Sequence, residues 1–164
     1  MKQYKTDEPL TQVVEFHTTY KHPIKDVPQT IGLDRGFFRA GLIQEELDEL
    51  KEAILDGNLV EIADALVDLQ YVVNGAFCEF GLSNLKDKLC KEVHSSNMSK
   101  LCKSVEEAQA YIDLTTTEDG PTAEYEVLEN GDIVLYSLEK GKEGKVLKGP
   151  HYFKPDLKSI INNE

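Results

Sequence analysis

Six acidic residues fall into two clusters whose spacing could do chemistry. Glu45, Glu46 and Glu49 stand in the run Glu45-Glu46-Leu47-Asp48-Glu49, and Glu61, Asp64 and Asp68 follow at i, i+3 and i+7. On helices, at about 100° per residue, Glu45, Glu49 and Glu46 span an arc of roughly 100°, and Glu61, Asp68 and Asp64 an arc of roughly 60°. Glu46 lies nearest the apolar side, whereas Asp48 and Glu52 point farther out. Like charges so spaced repel one another unless a counter-charge sits among them. Carboxylate oxygens are hard ligands, and four or more turned toward one another suit Mg²⁺ or Mn²⁺. A cation held there would reverse the local field and let an acidic protein grip a small phosphorylated substrate. The bland alternative is two solvated helix faces that never meet, and the spacing leaves both readings open.

The elements that carry these acids read as antiparallel neighbours. A first helix is expected from Thr6 or Asp7, with Pro9 in its first turn and Val13, Val14, Phe16, His17 and Tyr20 inward, ended by Pro23. Residues 23–34 hold Pro23, Pro28 and Gly32 and form a loop. A second helix is expected over residues 35–55, with an apolar stripe of Ile43, Leu47, Leu50 and Ile54. Asp56-Gly57-Asn58 breaks it. A third helix follows over residues 59–80, with its stripe at Ile62, Leu66, Leu69, Val73, Phe77 and Phe80, and a fourth covers residues 83–100. So short a break makes helices two and three an antiparallel pair. Beyond Leu101, Ser104-Val105-Glu106-Glu107 opens a short helix with a capping box. Tyr125 to Leu128 and Ile133 to Tyr136 flank Asn130-Gly131 as a hairpin. Residues 156–161 supply a last helical turn. The expected fold is mainly α, an antiparallel four-helix core, in three parts: residues 1–101 as the helical core, 102–143 as a helix plus β-hairpin insertion, and 144–164 as a C-terminal tail on or near the active site.

The paired pattern EExxE, eleven residues, ExxD resembles the signature of the all-α nucleoside triphosphate pyrophosphohydrolases, in particular the MazG-like and phosphoribosyl-ATP pyrophosphohydrolase-like branches. The likeness extends to Val14-Glu15-Phe16-His17, to Arg35, to Ala65-Leu66-Val67-Asp68-Leu69, to Glu92 through Lys100, and to Gly144-Lys145-Val146-Leu147-Lys148-Gly149-Pro150. The resemblance implies Mg²⁺, with Mn²⁺ as a substitute, held by Glu46, Glu49, Glu61 and Asp64, and Glu45 as the residue that orients or deprotonates the attacking water. It implies cleavage between the α- and β-phosphates of a nucleoside triphosphate to give a monophosphate and pyrophosphate. Asp68, Asn97, Lys100, Lys145, Lys148 and Tyr152 are the candidate substrate contacts, each with an ordinary surface role as its alternative. Arg35 and Arg39 either touch phosphate or neutralise nearby glutamates, and His17 and His22 are structural. A homodimer or dimer of dimers is implied, and Phe37, Phe38, Val72 and Ala76 suggest a second apolar side for it. Rival readings are the phosphoribosyl-ATP reaction of histidine synthesis, an inactive relative that binds nucleotide without turnover, and an acidic interaction protein without catalysis.

Composition narrows the field around this reading. The 164 residues carry 18 Lys plus Arg against 30 Asp plus Glu, a net charge of −12, which argues against binding a nucleic acid polymer. No apolar run reaches the roughly 18 residues a bilayer span requires, and a polar start after Met1 resembles no signal peptide, so a cytoplasmic protein without a membrane partner is expected. Cys78, Cys90 and Cys102 form no CxxC pair and are expected as buried free thiols.

Overall fold

The computed structural model describes residues 9–162. The chain is mainly helical with one small antiparallel sheet: α1 (Pro9–Thr19), α2 (Leu33–Asp56), α3 (Leu59–Glu79), a 3₁₀ turn (Ser83–Leu85), α4 (Lys86–Met98), α5 (Val105–Thr115), β1 (Ala123–Val127), β2 (Ile133–Ser137) and α6 (Leu157–Asn162). The start expected at Thr6 or Asp7 lies outside the described residues. Two compact units divide the chain, one running through Lys86 and the other from Asp87 onward. No helix among the described residues is long and apolar enough to cross a membrane.

In the first unit α2 and α3 form the expected antiparallel pair. Gly57 takes the left-handed conformation at φ 63° and closes α2 through its N–H to Ile54, a conformation that costs glycine little. The Asn58 side chain then accepts the backbone N–H groups of Val60 and Glu61 and starts α3. The antiparallel sense is fixed at the far end, where Arg35 and Arg39 of α2 reach Glu79 and the Val72 carbonyl of α3. α1 packs on α3, with Val13 and His17 buried.

The buried side of α2 differs from the expected stripe. Leu47 and Ile54 are exposed, while Arg39 and Ala53 are buried and Leu42, Ile43, Glu46 and Leu50 are half-buried. The inward face is therefore turned by roughly 60° from the stripe Ile43, Leu47, Leu50, Ile54. The cause is Glu79, fully buried on α3, which draws Arg35 and Arg39 inward. Gly75 makes room for this: a Cβ there would fall on the Arg39 guanidinium. On α3 the expected Leu66 is likewise exposed and Ala65 is buried.

The second unit gathers α4, α5, the hairpin and the chain after it. This unit begins at Asp87 and so takes in α4. α4 joins this unit because Ser96 donates to the Phe153 carbonyl at 2.7 Å and Ser99 accepts the Phe153 N–H at 3.1 Å. Ser104 caps α5 by accepting the Glu107 N–H, and Glu107 reaches back to the Lys103 N–H at 2.9 Å. The hairpin pairs Ala123 with Ser137 through Val127 with Ile133. Its Asn-Gly sits in a loop wider than a two-residue turn, closed by the Leu128 N–H on the Asp132 carbonyl. Residues 144–147 run along the other side of β2, through Ser137 N–H to Lys145 O and Leu147 N–H to Leu135 O. Cys102, Ala108, Ile133 and Leu135 form the core. All three cysteines are free; Cys78 and Cys102 are buried as expected, and Cys90 is exposed.

Candidate active site

Opposition of α2 and α3 places their acids on facing turns. The half-buried Glu46 is the centre of the set. Partial burial lifts its carboxyl above the usual carboxylate range, and the charges of Asp68, Glu49, Glu45 and Asp64 push it further. The charges that raise it thus come from both helices, two from α2 and two from α3. Asp68, half-buried, is the strongest of its charged neighbours.

Glu61 is not among those charges. It lies in the first turn of α3 and, with Glu49, Glu52, Ala53 and Asp56, lines a cavity of about 340 Å³. Glu49 both acts on Glu46 and lines this cavity. Glu52, expected to face water away from the set, lines this same cavity. Asp48 does face away, held by Lys51 at 2.7 Å and Gln44 at 2.9 Å, which lowers its carboxyl below the usual range.

The donor set fits a hard divalent cation in kind, being all carboxylate oxygen, without an ion-paired lysine or arginine among Glu45, Glu46, Glu49, Asp64 and Asp68 in the described residues. Among the described residues no three His, Cys, Asp or Glu side chains are grouped so that they could hold a metal ion. Uncompensated acids at these positions repel one another, which is the condition a bound cation relieves.

Arg35 and Arg39 serve Glu79. Arg35 donates from Nε and Nη2 to the two Glu79 oxygens, each at 2.6 Å, and Arg39 Nη1 lies 3.7 Å from the same carboxylate. Of the two roles open in the sequence, neutralising a glutamate is therefore the one observed. Reading the sequence alone misses Glu79; the available signal is one acid inside the apolar run Gly75-Ala76-Phe77-Cys78-Glu79-Phe80. His17 is buried with Nδ1 3.0 Å from the Pro23 carbonyl, a structural role.

The other candidate substrate contacts lie in the second unit, where two pairs of them touch. Lys100 Nζ donates to Asn97 Oδ1 at 2.8 Å, and Lys148 Nζ sits 4.4 Å from the centre of the Tyr152 ring. The Gly149 N–H bonds to the Lys100 carbonyl at 3.0 Å, joining the end of α4 to the tail. A Cβ at Gly149 would stand 2.6 Å from that carbonyl oxygen, so the close approach needs glycine. Lys145 is exposed, and its backbone carbonyl accepts from Ser137.

A stretch of 80 residues is 40% identical to an uncharacterized protein of Acanthamoeba polyphaga mimivirus, covering 43% of this chain and 30% of that protein. The chain therefore spans under a third of the length of the curated relative it matches. A family model described as phosphoribosyl-ATP pyrophosphohydrolase matches residues 13–97, just over half of the chain, and takes in all six acids. By that match the chain belongs to the phosphoribosyl-ATP pyrophosphohydrolase family.

Proposed function

We propose that this protein is a Mg²⁺-dependent nucleoside triphosphate pyrophosphohydrolase that releases a nucleoside monophosphate and pyrophosphate. The observation that carries the reading is the family match over residues 13–97, and it is supported by acids of both helices, Glu45, Glu49, Asp64 and Asp68, whose charges act on Glu46. Glu46, Glu49, Glu61 and Asp64 would hold the metal, with Asp68 beside Glu46. When bound, Mg²⁺ or Mn²⁺ polarises the phosphoanhydride and offsets the charge developing on it.

Glu45 takes the proton of the water that attacks the α-phosphorus. The bond from that phosphorus to the α–β bridging oxygen breaks, and pyrophosphate leaves with the electron pair. Glu45 is one residue from Glu46 and about 100° round the helix, a position suited to the water rather than to the same ion. Asn97, Lys100, Lys145, Lys148 and Tyr152 are proposed nucleotide contacts, supported by the family pattern and by their own grouping in the second unit. A homodimer or dimer of dimers, a cytoplasmic location and an antiparallel four-helix core belong to the same proposal.

The family's name favours one other substrate, phosphoribosyl-ATP. A panel of canonical and modified (d)NTPs and phosphoribosyl-ATP, assayed for pyrophosphate release with Mg²⁺, decides between them. Turnover of phosphoribosyl-ATP alone would replace the nucleoside triphosphate reading, and no turnover of any would end it.

A further inference from the structure

We propose that a second cleft in the first unit, formed by the α1–α2 loop, the first turns of α2 and the end of α3, binds a small aromatic anion of the nucleoside monophosphate class. Two cavities build it, and they share Thr30 and Ile31 as walls. The first, about 570 Å³, is apolar, with Ile31, Leu33, Phe37, Ala40 and Phe80 around it. The second, about 320 Å³, is polar, with Lys25, Gln29, Arg35 and Glu79. Both volumes fall in the range of about 300–1,000 Å³ of small-molecule sites, which combine an apolar wall with a few placed polar groups.

The apolar cavity is kept open by glycine. Gly36 lines it, and a Cβ added there meets nothing within 4 Å. α2 therefore carries no side chain where one would stand in the opening. Leu33 is exposed beside it, at 78%. A flat ring system fits against apolar walls of this kind.

Charge selects the rest of the ligand. Lys25 and Arg35 against Glu79 leave the lining of the polar cavity one positive charge in excess. Lys25 has no ion-pair partner among the described residues. A locally cationic cavity in a chain of net charge −12 is a place for an anion. The frame is held in place: the Lys25 N–H bonds to the Cys78 carbonyl and the Gln29 N–H to the Phe80 carbonyl, each at 3.0 Å. Gly81, at φ 71°, lies under the Val27 carbonyl, where a Cβ would collide. The loop that carries Lys25 and Gln29 is thereby fixed on the end of α3.

The choice of a nucleotide among aromatic anions rests on the proposed reaction, whose product is a nucleoside monophosphate. The cleft is distinct from the acidic set and needs no metal. Calorimetric titration in EDTA with AMP, CMP, GMP and UMP, and with adenosine, inorganic phosphate and phenyl phosphate, tests it. At least one monophosphate should bind, at least tenfold more tightly than adenosine or phosphate alone. Lys25→Ala should weaken it at least tenfold, and Gly36→Leu should abolish it without lowering the melting temperature, since leucine is the better helix former. Glu46→Gln should leave it unchanged. Absence of monophosphate binding, binding that survives Lys25→Ala and Gly36→Leu, or loss in Glu46→Gln would overturn the proposal, as would binding of phenyl phosphate alone. Pyrophosphate release by the wild-type protein is read separately, so failure of the cleft and failure of the catalytic reading are told apart.

Discussion

Arg35 and Glu79, 44 positions apart, are joined by two hydrogen bonds of 2.6 Å, and Arg39 approaches the same carboxylate at 3.7 Å. This fixes the register of α2 against α3 and hence which acids face each other farther along. Glu79→Gln should cost about 3–5 kcal/mol, because it leaves Arg39 buried without a counter-charge. Arg35→Lys keeps the charge but loses the two-pronged contact, and Arg35 is partly solvated, so the cost should be nearer about 1.5–3 kcal/mol. Urea unfolding of both variants measures this. Equal losses would show that α2 is placed by something other than the buried charge.

Glu46 supplies a crossover. With EDTA present, Glu46→Gln removes the charge on which four neighbouring acids act, so the variant should be more stable than wild type by up to about 1 kcal/mol. With Mg²⁺ the order should reverse. A metal at a hundred times its dissociation constant stabilises the wild type by about 2.7 kcal/mol, and the variant loses most of that gain. Thermal melts with and without Mg²⁺ read both halves. A variant that responds to Mg²⁺ as the wild type does would remove Glu46 from the metal set.

His17 sets a pH dependence. Burial lowers its pKa below the ordinary value of 6.5; the Pro23 carbonyl opposes that shift, Arg39 adds to it, Glu79 opposes it and His22 adds to it. The folded protein therefore holds His17 neutral where the unfolded chain would protonate it. Its contribution is complete above the ordinary histidine value and is lost as pH falls through it toward the lowered one. Urea unfolding between about pH 8 and about pH 5 should show stability falling on the acid side, with a shallower slope in His17→Gln. An unchanged slope would place the acid sensitivity elsewhere.

Local chemistry makes much of this legible. Asp56-Gly57-Asn58 carries a left-handed cap followed by an N-cap, so the α2–α3 turn can be read directly, and with it the opposition of the two acid clusters. Ser104 and Asn130-Gly131 are signals of the same local kind. The orientation of α2 is not legible, because Arg39 is drawn inward by Glu79, forty residues away in sequence, while Leu47 and Ile54 are left outside. The grouping of α4 with the chain around Phe153 is hidden for the same reason: its bonds span 57 and 54 residues. Within the acidic set, periodicity supplies the arcs, whereas the influence of Asp68 on Glu46 and the displacement of Glu61 into the cavity it lines with Glu49 come from the packed pair.

That displacement bears on which acid serves as base. Glu45 is exposed and acts on Glu46 more weakly than Asp68 does, whereas Asp68 is half-buried and is its strongest charged neighbour. On the proposed reading Asp68 shares the cation of Glu46, and Glu45 meets the water. Glu45→Gln should therefore keep near-normal Mg²⁺ affinity and lose about 10²–10⁴-fold in turnover, the usual contribution of a general base. Asp68→Asn should weaken Mg²⁺ binding by about 10–100-fold, and added Mg²⁺ should restore part of its rate. Calorimetric Mg²⁺ binding and single-turnover pyrophosphate release on both variants separate the roles. If Glu45→Gln loses the metal while Asp68→Asn keeps it and loses turnover, the two assignments exchange, and the attacking water lies on the α3 side of Glu46.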